Sequence, residues 1–114
     1  MIDISPAHLE TVKQILAEHV PECEVRAFGS RVRGTAKDYS DLDLVVVCQQ
    51  ALDADSLRHL KEAFEESNLT FRVDLLDWNK ISESFQKMIE KEYEVIHKPT
   101  GSKRHQEDVR GFGP

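Results

Sequence analysis

The sequence predicts an α/β fold in which short strands and amphipathic helices alternate around one sheet. Three observations predict it. Apolar, β-branched stretches at Glu24–Phe28, Leu42–Cys48 and Leu69–Leu76 have the length and composition of strands. Apolar residues elsewhere recur at helical spacing: Leu9, Val12, Leu16 and Val20, then Leu57, Leu60 and Phe64, then Ile81, Phe85, Met88 and Ile89. A chain of 114 residues supports one core, hence one domain.

The elements follow in order. Ser5-Pro6 starts the first helix, with Ser as cap and Pro at the first helical position, where a missing N–H costs nothing; Pro21 stops it. The alternating Glu24-Val25-Arg26-Ala27-Phe28 is the first strand and runs into a Gly29-Ser30 turn. Residues 31–40 are polar and read as a short helical turn and a loop. The second strand, Leu42 to Cys48, is apolar on both faces beyond Asp43, which suits a central position covered on two sides. Asp53 to Ser56 offer caps for a helix to about Ser67. In the third strand Phe71, Val73 and Leu75 share one face, and Arg72, Asp74 and Leu76 the other. A last helix ends near Tyr93, and Val95-Ile96 adds a short edge strand. From Lys98 the chain is polar and Gly-rich, so the expected division is a domain over residues 1–97 and a mobile tail over 98–114.

Composition excludes several classes of function. A net charge of −6 argues against general nucleic-acid binding, which needs phosphate-neutralising basic surface. No apolar run approaches the roughly 20 residues of a membrane span, and the N-terminus lacks a signal pattern. Cys23 and Cys48 lie far apart without CxxC spacing and read as buried free thiols in a reducing cytoplasm. The five histidines form no HxxxH or HExxH pair, so zinc is not expected.

The chemistry-bearing stretch is Phe28-Gly29-Ser30-Arg31-Val32-Arg33-Gly34, followed by Asp41-Leu42-Asp43-Leu44. Asp41 and Asp43 are two apart, so on a strand they share a face. Carboxylates side by side repel, and such a pair persists most easily around a hard divalent cation, of which Mg²⁺ typically takes one or two carboxylates plus substrate phosphates. Asp74, inside a largely apolar strand, joins them if the three strands are neighbours. Backbone N–H groups after Gly29 are placed to receive phosphate oxygens, and Arg31, Arg33 and Lys37 to counter further triphosphate charge. Each part alone has an ordinary structural explanation: a turn, a cap, a solvated loop. Gly29 and Gly34 have P-loop spacing, but Thr35-Ala36 stand where Lys and Ser/Thr are required. Asp43 is followed by Leu-Val-Val-Val, which excludes an EF-hand.

Gly-Ser, ten residues, then Asp-x-Asp, with a further Asp in a later strand, resembles the signature of polymerase-β-type nucleotidyltransferases. The run Phe-Gly-Ser-Arg-x-Arg-Gly…Ser-Asp-Leu-Asp-Leu is similar to the minimal nucleotidyltransferase branch, and the resemblance covers about residues 5–97. It implies a small mixed sheet flanked by helices (α+β) and a mechanism with two Mg²⁺ ions and ATP. Gly29 and Ser30 would bind the β- and γ-phosphates. Asp41 and Asp43 would hold both ions, and Asp74 would complete the ion nearer the acceptor hydroxyl and help take its proton. Many stand-alone members of this branch are antitoxins encoded beside a HEPN-domain ribonuclease toxin, and transfer AMP to a tyrosine of that toxin. The resemblance therefore implies a cytoplasmic protein adenylyltransferase with a HEPN toxin as partner, in a possible oligomer with it. Two other functions stay open: a binding module that silences its partner by occlusion, and nucleotide transfer to a small molecule. Relatives of the last kind usually carry an additional helical region, and none is expected from this sequence.

Overall fold

The computed structural model describes residues 2–37 and 40–99. Its elements are α1 (Pro6–His19), β1 (Glu24–Phe28), α2 (Ser30–Arg33), β2 (Leu42–Val47), α3 (Ala54–Glu65), β3 (Val73–Asp77), a 3₁₀ turn (Trp78–Lys80), α4 (Glu83–Lys91) and β4 (Glu94–His97). The four strands form one sheet in the order β3-β2-β1-β4. β1 runs antiparallel to β2 and β4, whereas β2 and β3 are parallel, so the sheet is mixed, as the resemblance implies.

Local signals explain most element ends. Ser5 caps α1, its side chain accepting from the His8 N–H, with Pro6 at the first helical position. Asp53 caps α3 and Ser82 caps α4 in the same way. β3 begins at Val73, later than the apolar run from Leu69 suggests. Its ladder with β2 opens at Leu42 opposite Val73, and Ser67 turns the preceding chain by bonding the Phe64 carbonyl through its hydroxyl.

Alternation sorts each strand's side chains onto two cores. Val25, Ala27, Leu42, Leu44, Val46 and Leu75 pack with Val12, Ile15 and Leu16 of α1 and with Leu60 and Phe64 of α3. On the other face Phe28 and Val45 pack with Ile89 of α4, flanked by Leu76, Trp78 and Phe85. β2 is therefore covered on both faces. Arg26 lies on this second face, its guanidinium 4.9 Å from the Trp78 ring and 4.6 Å from that of Tyr93.

The cysteines depart from the expectation of free thiols. Cys23 and Cys48 form a disulfide with Cα atoms 4.6 Å apart. The antiparallel register is the reason. Glu24 faces Val47, so the residues just outside that pair, 23 and 48, meet at the same end of the two strands. Sequence separation hid a neighbourhood that strand pairing creates. The domain boundary expected after residue 97 falls where β4 ends, and residues 100–114 of the expected tail lie outside the described residues.

Candidate active site

β1 and β2 are antiparallel, and Phe28, the last residue of β1, sits opposite Asp43. The Gly29-Ser30 turn therefore emerges beside the start of β2, where the two-carboxylate motif lies. Gly29 has φ +83°, a conformation that side chains rarely adopt, and a Cβ there would run into Asp43 Oδ2 and stand 3.2 Å from its carboxyl carbon. Glycine is thus required twice over at this position, by backbone angle and by the carboxylate against it. The Gly29 carbonyl accepts from the N–H groups of Val32 and Arg33, winding residues 30–33 into α2, which Gly34 ends at φ +81°.

The parallel register of β2 and β3 places Asp43 level with Asp74. Residues at the same level of adjacent strands point to the same face, so these carboxylates are side by side on the α4 face of the sheet. Asp43 is half-buried, and Asp41 and Asp74 are exposed. Desolvation raises the Asp43 carboxyl above its ordinary range, and the charges of Asp74 and then Asp41 raise it further, while Arg33 opposes them. The sequence expected the three carboxylates to meet and Arg33 to face triphosphate charge; in the structure the charges of Asp41, Asp74 and Arg33 all act on Asp43.

Among the described residues, no three carboxylate, imidazole or thiol side chains close into a ready-made metal cage. What stands here is an open set of hard oxygen donors whose like charge Arg33 offsets only in part, packed against the Gly29 turn. That donor set fits Mg²⁺, which binds through one or two carboxylates and takes its remaining ligands from water and substrate phosphate. A cleft lined by Lys61, Phe64, Leu69, Phe71 and Arg72 runs along edge strand β3 to Asp74.

Ser30 is the first residue of α2, beside Gly29, and Arg33 is exposed. Lys37 is exposed too, its backbone tied to Ser40 in both directions. Arg31 has a different setting. Only 6 % of it is exposed, and its guanidinium donates to the backbone carbonyls of Ser40 and Asp3 with its face over Phe71. Phe71 and Trp78 both pack in the scaffold. Asp77, which sequence reasoning passed over, is buried and braces the end of β3, accepting from the N–H groups of Leu52 and Asn79.

The family profile for "Polymerase beta, Nucleotidyltransferase" matches residues 10–100. A probable protein adenylyltransferase MntA of Haemophilus influenzae is 53 % identical over 95 residues, 83 % of each chain. The protein adenylyltransferase MntA of Thermococcus cleftensis is 32 % identical, covering 74 % of this chain and 91 % of its own. Among solved structures, a toxin–antitoxin complex with AMP-PNP superposes with a TM-score of 0.68 at 23 % identity, over 88 % of this chain and 77 % of that one. The complex of a tri-AMPylated Shewanella oneidensis HEPN toxin with its MNT antitoxin gives 0.62 at 20 % identity, over 90 % and 75 %. At such identities these structures attest the fold; the profile and the MntA sequences go further. This chain belongs to the polymerase-β-type nucleotidyltransferase family, in the branch of the MntA proteins.

Proposed function

We propose that this protein transfers AMP from ATP to a hydroxyl of a partner protein, a tyrosine of a HEPN-domain ribonuclease toxin encoded beside it, and so acts as its antitoxin. One observation carries the chemistry: the level pairing of Asp43 with Asp74, with the Gly29 turn packed directly against the Asp43 carboxylate. Identity of 53 % to a probable protein adenylyltransferase supports the choice of AMP and of a protein acceptor.

In this reading Gly29 and Ser30 receive the β- and γ-phosphates, and Arg33, whose charge already acts on Asp43, meets the triphosphate from the α2 side. Asp41, Asp43 and Asp74 would hold two Mg²⁺ ions, which when bound supply charge neutralisation for the triphosphate and the acceptor oxygen. Asp74 stands on the edge strand, with no further strand among the described residues beyond it in the sheet to bar a protein hydroxyl, and is the group to accept its proton. The acceptor oxygen bonds to the α-phosphorus as the bond to pyrophosphate breaks. No helix among the described residues is long and apolar enough to cross a membrane, and ATP as donor favours a cytoplasmic location, where the Cys23–Cys48 pair faces a reducing thiol pool.

The alternative is neutralisation by occlusion alone. Co-expression of the partner toxin with the Asp41→Asn/Asp43→Asn double variant separates the two. The catalytic reading expects the toxin to stay active even though the variant is folded and still binds it. Full neutralisation by that variant would establish occlusion instead.

A further inference from the structure

Arg31 lies inside the motif yet is the most buried cation near the site. A guanidinium at 6 % exposure must have its donors satisfied, and protein carbonyls satisfy them here. Nε and Nη2 close as a fork on the Ser40 carbonyl at 3.0 and 2.8 Å, and Nη1 donates to the Asp3 carbonyl at 2.8 Å. The Asp3 N–H returns a bond to the Arg31 carbonyl at 2.7 Å, so the N-terminal segment and α2 hold each other. Phe71 lies under the guanidinium at 4.3 Å, three residues before Asp74, and the neighbouring Arg72 carbonyl accepts from the Leu42 N–H at 2.8 Å.

We propose that Arg31 is a positioning residue for the Asp41 carboxylate and not a nucleotide ligand. The Ser40 carbonyl belongs to the peptide plane that ends at the Asp41 Cα. A two-pronged hold on that oxygen therefore fixes where the Asp41 side chain starts. The same guanidinium joins α2, which carries the phosphate-side turn, to the segments leading into β2 and β3, which carry the carboxylates. Were it to turn to a phosphate, the Ser40 and Asp3 carbonyls would lose their charged donor inside the protein. Exposed Arg33, two residues on, is the cation available to the triphosphate. Lysine cannot replace Arg31, because a point ammonium cannot span a fork on one carbonyl and a bond to another.

The inference rests on the proposed metal–nucleotide reading, and its test separates the two. Arg31→Lys and the wild type are compared for Mn²⁺ affinity by electron paramagnetic resonance, for affinity towards a fluorescent non-hydrolysable ATP analogue, and for AMP transfer. Analogue affinity should stay within about twofold, while Mn²⁺ affinity weakens about tenfold and transfer falls about 10- to 100-fold, as when a supporting shell is disturbed. A loss of analogue affinity of about tenfold with Mn²⁺ affinity intact would make Arg31 a phosphate ligand and overturn the proposal. A lower melting temperature with both affinities and transfer unchanged would reduce it to a scaffold residue and equally overturn it. If Arg31→Lys does not fold, Phe71→Leu leaves the hydrogen-bonding groups of Arg31, Ser40 and Asp3 in place and removes the aromatic face under the guanidinium. It should weaken Mn²⁺ binding about threefold, and no change there would count against the proposal. If the wild type binds Mn²⁺ and the analogue but modifies no partner, the acceptor reading fails and Mn²⁺ affinity still decides the role of Arg31.

Discussion

Asp43→Asn is expected to lower AMP transfer by about 10³-fold or more, the scale on which the removal of one preorganised charged group acts at a transition state. Asp43 is the hinge of the constellation. It is level with Asp74, two residues from Asp41, pressed against Gly29, and close enough to Arg33 to feel its charge. Asparagine keeps the shape and removes the anion, so the loss should appear in turnover while the fold persists. The metal-free fold should in fact gain. Burial and two like charges raise the Asp43 carboxyl above its ordinary 3.8, so the folded state holds this proton more tightly than the unfolded chain does. That contribution to stability is fully present below pH 3.8 and is lost as pH rises through the raised folded value. Near neutrality the ionised group is therefore a cost, and asparagine relieves it. With solvent screening the half-exposed site, the variant should melt on the order of 2 °C higher without metal, with the gain disappearing in acid. A steep fall in melting temperature without metal would contradict this account of the carboxylates.

Gly29→Ala is expected to be nearly as damaging, by a different route. The new methyl would collide with Asp43 Oδ2 at a backbone angle that alanine tolerates poorly, so either the turn or the carboxylate must move. The expected cost is about 1–3 kcal/mol in denaturant unfolding and about 100-fold in transfer, because a shift near 1 Å at the reacting centre has that effect. Gly34 supplies the control. Its φ is +81°, but a Cβ there meets nothing within 4 Å. Gly34→Ala should therefore cost only the strain of the left-handed conformation, about 1 kcal/mol, and leave transfer within a few-fold. Equal damage from the two substitutions would mean that backbone strain, not the approach to Asp43, accounts for the glycine.

Much of this was legible in the sequence because the relevant signals are local. β1 was read residue for residue, β2 to within one residue, and Leu44 and Val46 are wholly buried as expected. The period-two pattern around Asp74 placed it on the correct face, since alternation needs no knowledge of neighbours. What escaped depends on register. Only the antiparallel ladder shows that Cys23 and Cys48 adjoin, and only the parallel ladder shows that Asp43 and Asp74 are level. Arg31 escaped for a related reason. In sequence it is one of three cations in a polar loop, with nothing to distinguish it from Arg33. Its burial comes from Asp3, Ser40 and Phe71, which approach from three separate segments. β3 was drawn too long because its apolar run continues backwards past the point where β2 can pair with it.

The most direct measurement is the intact mass of the partner HEPN toxin after incubation with this protein, ATP and Mg²⁺. The account predicts a gain of one or more AMP units that is absent with Asp43→Asn and that coincides with loss of ribonuclease activity. An unchanged toxin mass, in a stable complex whose ribonuclease is nevertheless silent, would contradict it.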